Sequence, residues 1–121
     1  VFNNMNWFAK KDYFDSHRVI VMETPERKYY YEVTGVKVVN EFTNLYQIPT
    51  TPAKKGEFIN LFKEGARNWL ENSKISGEDN MTVFCTCRID DVALRTLVLA
   101  RQVPDNELKE FLEKNKELLN S

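Results

Sequence analysis

Residues 28–40 (KYYYEVTGVKVVN) alternate apolar and polar side chains, and residues 18–24 (RVIVMET) form a shorter β-branched run just before them. Both patterns predict strands. Pro25-Glu26-Arg27 lies between them, with Pro25 suited to the first central position of a turn, so the two runs form a β-hairpin. In the longer run the period places Tyr29, Tyr31 and Val33 on one face, followed by Val36 and Val38, and Gly35 marks a bulge or bend. A bulge there lets the inward face switch from odd to even positions.

The period changes further along. In residues 55–72, Phe58, Leu61, Phe62, Ala66, Trp69 and Leu70 recur at three- and four-residue steps, which predicts an amphipathic helix. Gly65 inside it costs roughly 1 kcal/mol against Ala and points to close packing on the sheet. Residues 41–53 read as a loop, with Pro49, Thr50, Thr51 and Pro52 ending any regular element. Residues 12–17 suit one helical turn, capped by Asp12, with Tyr13 and Phe14 inward. Residues 73–80 are polar, contain Gly77 and lead into a strand at 81–87 (MTVFCTC). After a polar turn, Arg95 opens a second apolar strand that Pro104 ends. Asp105 can cap a final packing helix bearing Leu108, Phe111, Leu112, Leu118 and Leu119. The opening segment, 1–11, carries Phe2, Trp7 and Phe8 without a clean period, and its abrupt apolar start suggests missing upstream residues.

Composition narrows the class. A chain of 121 residues suits one core, and without repeats or low-complexity tracts residues 1–121 are read as a single domain. Hydrophobic content of 42% and charged content of 29% are ordinary for a soluble globular protein. A net charge of −1 provides no global field for nucleic acid or anionic lipid. No apolar run is long enough to span a bilayer. Two cysteines two positions apart form no disulfide framework, and with one histidine they supply no zinc site.

The chemistry gathers around residues 81–103. Two strands joined by a short polar loop put a thiol, Cys87, at the end of one and a guanidinium, Arg95, at the start of the other. A thiol becomes a useful nucleophile where cationic or donor groups lower its pKa or stabilise the charge it creates. A cysteine in an apolar strand is more often a buried, inert hydrophobe, and a lone strand-end arginine is more often solvated. Chemistry alone leaves both readings open.

The order of hairpin, loop, long helix, polar loop, strand ending in Thr-Cys, short acidic turn and Arg-led strand resembles the catalytic domain of the sortases, most closely class B. Thr82-Val83-Phe84-Cys85-Thr86-Cys87 is similar to the family's strand ending Thr-Leu-x-Thr-Cys, with Val83 and Phe84 in place of Thr and Leu. Residues 95–103 (RTLVLARQV) are similar to the next strand, which begins with the family's essential Arg. Residues 12–31 look like its short helix, strand, Thr-Pro and Tyr-rich strand, and the helix at 55–72 is the class B feature. The resemblance covers nearly all of residues 12–103. It implies a mainly β fold with helices (α+β), an incomplete sortase β-barrel whose missing strands expose hydrophobic edges and favour pairing between chains or a swapped homodimer.

The resemblance further implies a cofactor-free cysteine transpeptidase on the outer face of a Gram-positive membrane. It would cut a sorting signal after Thr and join the acyl group to an amine of a cell-wall precursor or to a pilin lysine. Cys87 is then the nucleophile that forms a thioacyl intermediate, Arg95 positions the scissile carbonyl or stabilises its oxyanion, and Thr86 helps hold the peptide. Cys85, at mid-strand, is the structural thiol. The family's catalytic His lies in a Gly-His-Asn-like loop that this sequence lacks, and His17, in Asp-Ser-His-Arg, does not match it. The expectation is therefore the C-terminal part of a longer sortase, impaired in turnover. The alternatives are a degenerate, non-catalytic sortase-like module that binds peptides or partners, and an unrelated small α+β interaction domain.

Overall fold

A computed structural model describes residues 8–40, 48–71, 73–87 and 94–116, with Cys87 described by its backbone. The runs of alternating and β-branched residues form β1 (Val19–Glu23), β2 (Lys28–Asn40), β4 (Met81–Cys87) and β5 (Leu94–Gln102), and a two-residue β3 (Asn68–Trp69) joins them. The helices are α1 (Lys11–Ser16), α2 (Pro52–Lys63) and α3 (Asp105–Lys114). Every strand pairing is antiparallel, in the order β1-β2-β5-β4 with β3 also on β2, giving a curled half-barrel with helices. The predicted hairpin is present: the Thr24 N–H donates to the Arg27 carbonyl at 2.9 Å across the turn.

β2 organises the sheet. One of its edges pairs with β5 from Tyr31 to Asn40, and the register slips by one residue between Val33 and Gly35. Thr34 is thus the extra residue of a bulge, fully buried. On the other edge the bulge marks a change of partner. The Val33 N–H donates to Arg18 O of the β1 side at 2.7 Å, and Thr34 O accepts from the Leu70 N–H beside β3 at 2.7 Å. The face switch predicted for this strand occurs here. Val33 before the bulge and Val36 after it pack in one core cluster with Val98, Phe8 and Phe14, against which Tyr13 of α1 also packs.

The opposite face carries a second cluster, in which Phe58 and Phe62 of α2 lie against Leu97 and Leu99, with Val39, Trp69, Met81 and Val83 around them. Gly35 lets the Trp69 ring approach the sheet on this side, since an added Cβ would stand 2.5 Å from Cε3 of that ring.

The long helix is where expectation and structure part. α2 begins at Pro52, with Thr51 as N-cap accepting from the Lys54 N–H, so Pro52 opens the helix instead of ending an element. It stops at Lys63, well short of residue 72. Gly65 has φ +72, and a Cβ added to it would meet nothing within 4 Å, so it marks the left-handed turn after the helix and not close packing. Leu61 is therefore 56% exposed, and Trp69 lies on β3. The acidic caps also differ: Lys10 and Pro104 occupy the cap positions of α1 and α3, without side-chain cap bonds, and Asp12 and Asp105 fall inside the helices.

α3 has no fully buried residue; Leu108, Phe111 and Leu112 are half-buried, and two ion pairs join the helix to the rest of the chain. Asp105 pairs with Arg27 at 2.8 Å, and that hydrogen bond holds its carboxyl below the ordinary range. Arg101, 5% exposed, donates to both Glu107 oxygens at 3.0 and 2.8 Å, and its Nε lies 3.2 Å from Asp79 in an ion pair too poorly aligned for a hydrogen bond. Burial pushes the Arg101 guanidinium down, but the Glu107 bond and the Asp79 and Glu107 charges outweigh it and raise it overall. The aromatics Phe2 and Trp7, the turn between the Cys and Arg strands, and Leu118 and Leu119 lie outside the described residues.

Gly35→Ala is expected to lower stability by about 1–3 kcal/mol through the Trp69 clash. Gly56→Ala, inside α2 with nothing within 4 Å of the new methyl, should raise it by about 0.5–1 kcal/mol. Urea midpoints at unchanged slope would check both. Arg101→Met strands the Asp79 and Glu107 carboxylates and should cost about 3 kcal/mol in the same measurement.

Candidate functional site

The β4–β5 register sets Cys87 directly opposite Arg95, and Cys85 opposite Leu97. Arg95 in turn lies opposite Val39 of β2, so Val39, Arg95 and Cys87 form one row across three strands. The polar run between them is short enough to let β4 and β5 pair to their facing ends, which brings two residues eight apart in sequence into register.

Alternation decides the face. Met81 and Val83 belong to the cluster under α2, and the same period puts Cys85 on that side. α2 covers β4 only as far as Val83, so Cys85, one step further, is an exposed thiol. It was expected to be the structural cysteine; a packed role is excluded because the covering helix ends too early. Arg95 is half-buried, and its Nη1 donates to Leu94 O at 3.0 Å.

The structure does not bring every expected residue to this row. Thr86 lies opposite Thr96, on the face away from α2, and Thr96 is fully buried. Its side chain is thus directed away from the face of Cys85 and Arg95. His17 is also elsewhere: its ring stacks on Tyr13 at 4.0 Å, and Nδ1 lies 2.8 Å from Ser16 Oγ at the end of α1, on the opposite side of the sheet.

A cleft of about 660 Å³ opens at the other end of β5, lined by Arg101, Glu32, Arg18, Trp69, Phe111 and Lys114 among others. Its charges are mixed, and it is remote from the thiol row, since Arg101 and Arg95 are six residues apart along one strand. Among the described residues no group of three or more His, Cys, Asp or Glu side chains could hold a metal ion. Among them, too, no helix is long and apolar enough to cross a membrane.

No protein-family model matches the sequence, and no curated protein matches it significantly. Solved structures do match. Sortase B from the type II pilus of Streptococcus pneumoniae superposes with a TM-score of 0.75 at 19% identity, over 85% of this chain and 60% of that one. Staphylococcus aureus sortase B in complex with substrate gives 0.74 at 15% identity, over 86% of this chain and 49% of that one. A Streptococcus pyogenes class B sortase involved in pilus biogenesis gives 0.70 at 21%, over 84% and 56%. The fold is that of part of a class B sortase. The chain spans about half to three-fifths of the length of these sortases. The curled antiparallel half-barrel with its helices is the part of the architecture that matches theirs.

Because Cys85 is exposed, it should alkylate in the folded protein within about tenfold of its rate in urea. Iodoacetamide labelling with intact-mass readout, comparing the unaltered chain with Cys85→Ala, checks this.

Proposed function

We propose that this chain carries the nucleophile-and-arginine part of a class B sortase-type cysteine transpeptidase. The observation that supports the reading most is the row in which Cys87 and Arg95 face each other at the end of a sheet with the class B fold. The thiolate of Cys87 adds to the carbonyl carbon of the sorting-signal Thr. Arg95 hydrogen-bonds the oxygen that becomes negative, and collapse expels the downstream amine to leave a thioester on Cys87. An amine of a cell-wall precursor or a pilin lysine then attacks the thioester and restores the thiol. Thr86, with its side chain on the far face, contributes through the main chain beside the nucleophile.

The expelled amine must gain a proton, and His17 is on the wrong side of the sheet to give it. Release of that amine belongs to acylation, so collapse to the thioester on a natural signal needs a general acid that these 121 residues do not supply in a Gly-His-Asn-like loop. Capture of an electrophile by Cys87, which expels no amine, does not need one. The full-length protein on this reading works at the outer face of a Gram-positive membrane. Among the described residues β1 pairs only with β2, and Val21 and Met22 on it are each 42% exposed, which leaves an edge for strand pairing between copies. The displacement of the only histidine favours a second reading, a sortase-like module that binds a signal peptide without turning it over.

The test is intact-mass labelling with a sorting-signal peptide carrying an electrophile at the Thr position. An adduct that survives Cys85→Ala, disappears in Cys87→Ala and forms about a hundredfold more slowly in Arg95→Ala is expected. The Cys85 variant is essential because that thiol is exposed. Adduct formation that follows Cys85 alone would sink the assignment. Reversible binding of the unreactive peptide, without any adduct, would favour the non-catalytic module.

A further inference from the structure

Lys37 lies on β2 opposite Leu97, which lies opposite Cys85, so it shares the row of the exposed thiol on the α2 face. Its Nζ donates to two carbonyl oxygens at the end of α2, Leu61 at 2.9 Å and Glu64 at 2.6 Å. The last carbonyls of a helix have no intrahelical partner and carry the negative end of its dipole. A cation donating to two of them makes charge-assisted bonds and sets the distance from the helix end to the strand beneath.

Phe62 packs the inner side of that end, Lys63 Nζ lies 5.7 Å from the Trp69 ring centre, and the Arg67 N–H donates to Val36 O at 2.8 Å just beyond it. Phe58, Ile59 and Phe62 are the buried residues of α2, whereas Leu61, Lys63 and Glu64 are exposed. After Glu64 the chain turns through Gly65 and returns to β2 as β3. The tether therefore holds the helix's final carbonyls, on either side of the last buried side chain, Phe62, beside the rows of Cys85 and of Arg95 and Cys87.

We propose that Lys37 is a positioning residue. It pins the C-terminal end of α2 so that the helix end forms a fixed wall beside the surface on which a signal peptide reaches the thiol. The peptide part of this inference rests on the reading of Cys87 as nucleophile, whereas the tether itself does not.

The experiment compares Lys37→Met and Lys37→Arg in a Cys85→Ala background. It measures amide exchange at residues 60–66, the concentration dependence of adduct formation with the electrophilic peptide, iodoacetamide labelling and the urea midpoint. Lys37→Met should speed exchange at the helix end and raise the half-saturating peptide concentration, each about tenfold. The limiting rate and iodoacetamide labelling should stay unchanged, and Lys37→Arg should restore most of the loss. Unchanged exchange overturns the tether. Faster exchange with an unaltered half-saturating concentration, or a uniform loss of stability and reactivity that Arg does not restore, overturns the positioning role. If the Lys37-containing protein forms no peptide adduct, the nucleophile reading fails, and exchange at the helix end alone then decides the tether.

Discussion

The extra residue at Thr34 governs much of this architecture. A strand keeps one face inward only while its register holds, and a single inserted residue exchanges the faces. Here the insertion lets β2 present Val33 before it and Val36 after it to one cluster. It also puts Gly35 under Trp69 and Lys37 under the end of α2 on the other side. At the same point the free edge of β2 passes from β1 to β3. One backbone irregularity thereby sets which residues of β2 face the long helix and which face the other cluster.

Helix length controls access to Cys85. α2 ends at Lys63 because Gly65 takes a left-handed conformation, and Phe62 is the last side chain it buries. Cover over β4 extends through Val83 and then stops. A helix continuing through residue 72 would bury more apolar surface, but it would also lay a wall over the positions that follow. The shorter helix leaves Cys85 in solvent and lets the chain return as β3 to complete the edge of β2. Accessibility of a thiol is one of the conditions for its reactivity, and here it follows from where a helix stops.

Two arginines of β5 show how one side-chain type takes two roles on one strand. Arg101 is buried and held by Asp79 and Glu107, so its charge is used to fasten α3 and the approach to β4. Arg95, half-buried at the strand start, lies opposite Cys87. A buried guanidinium locked between carboxylates has little to offer a substrate, whereas one at a strand end can meet a developing negative charge. The mixed-charge cleft near Arg101 accordingly lies at one end of β5, and the row of Arg95 and Cys87 lies at the other.

Local sequence determined the strands, the hairpin with its turn, the bulge near Gly35 and the order that places Cys87 and Arg95 at facing strand ends. These follow from period, β-branching and turn chemistry within a few residues. Tertiary structure alone decided the rest. The apolar steps through Ala66, Trp69 and Leu70 fit a helix as well as a turn and a strand, and only pairing with Gly35 and Val36 selected β3. Pro52 reads equally as a stop or as the first residue of a helix until Thr51 caps it. The exposure of Cys85 and the capture of the α2 end by Lys37 depend on residues distant in sequence. Side-chain period names the face a residue occupies, but what covers that face is set by packing between elements.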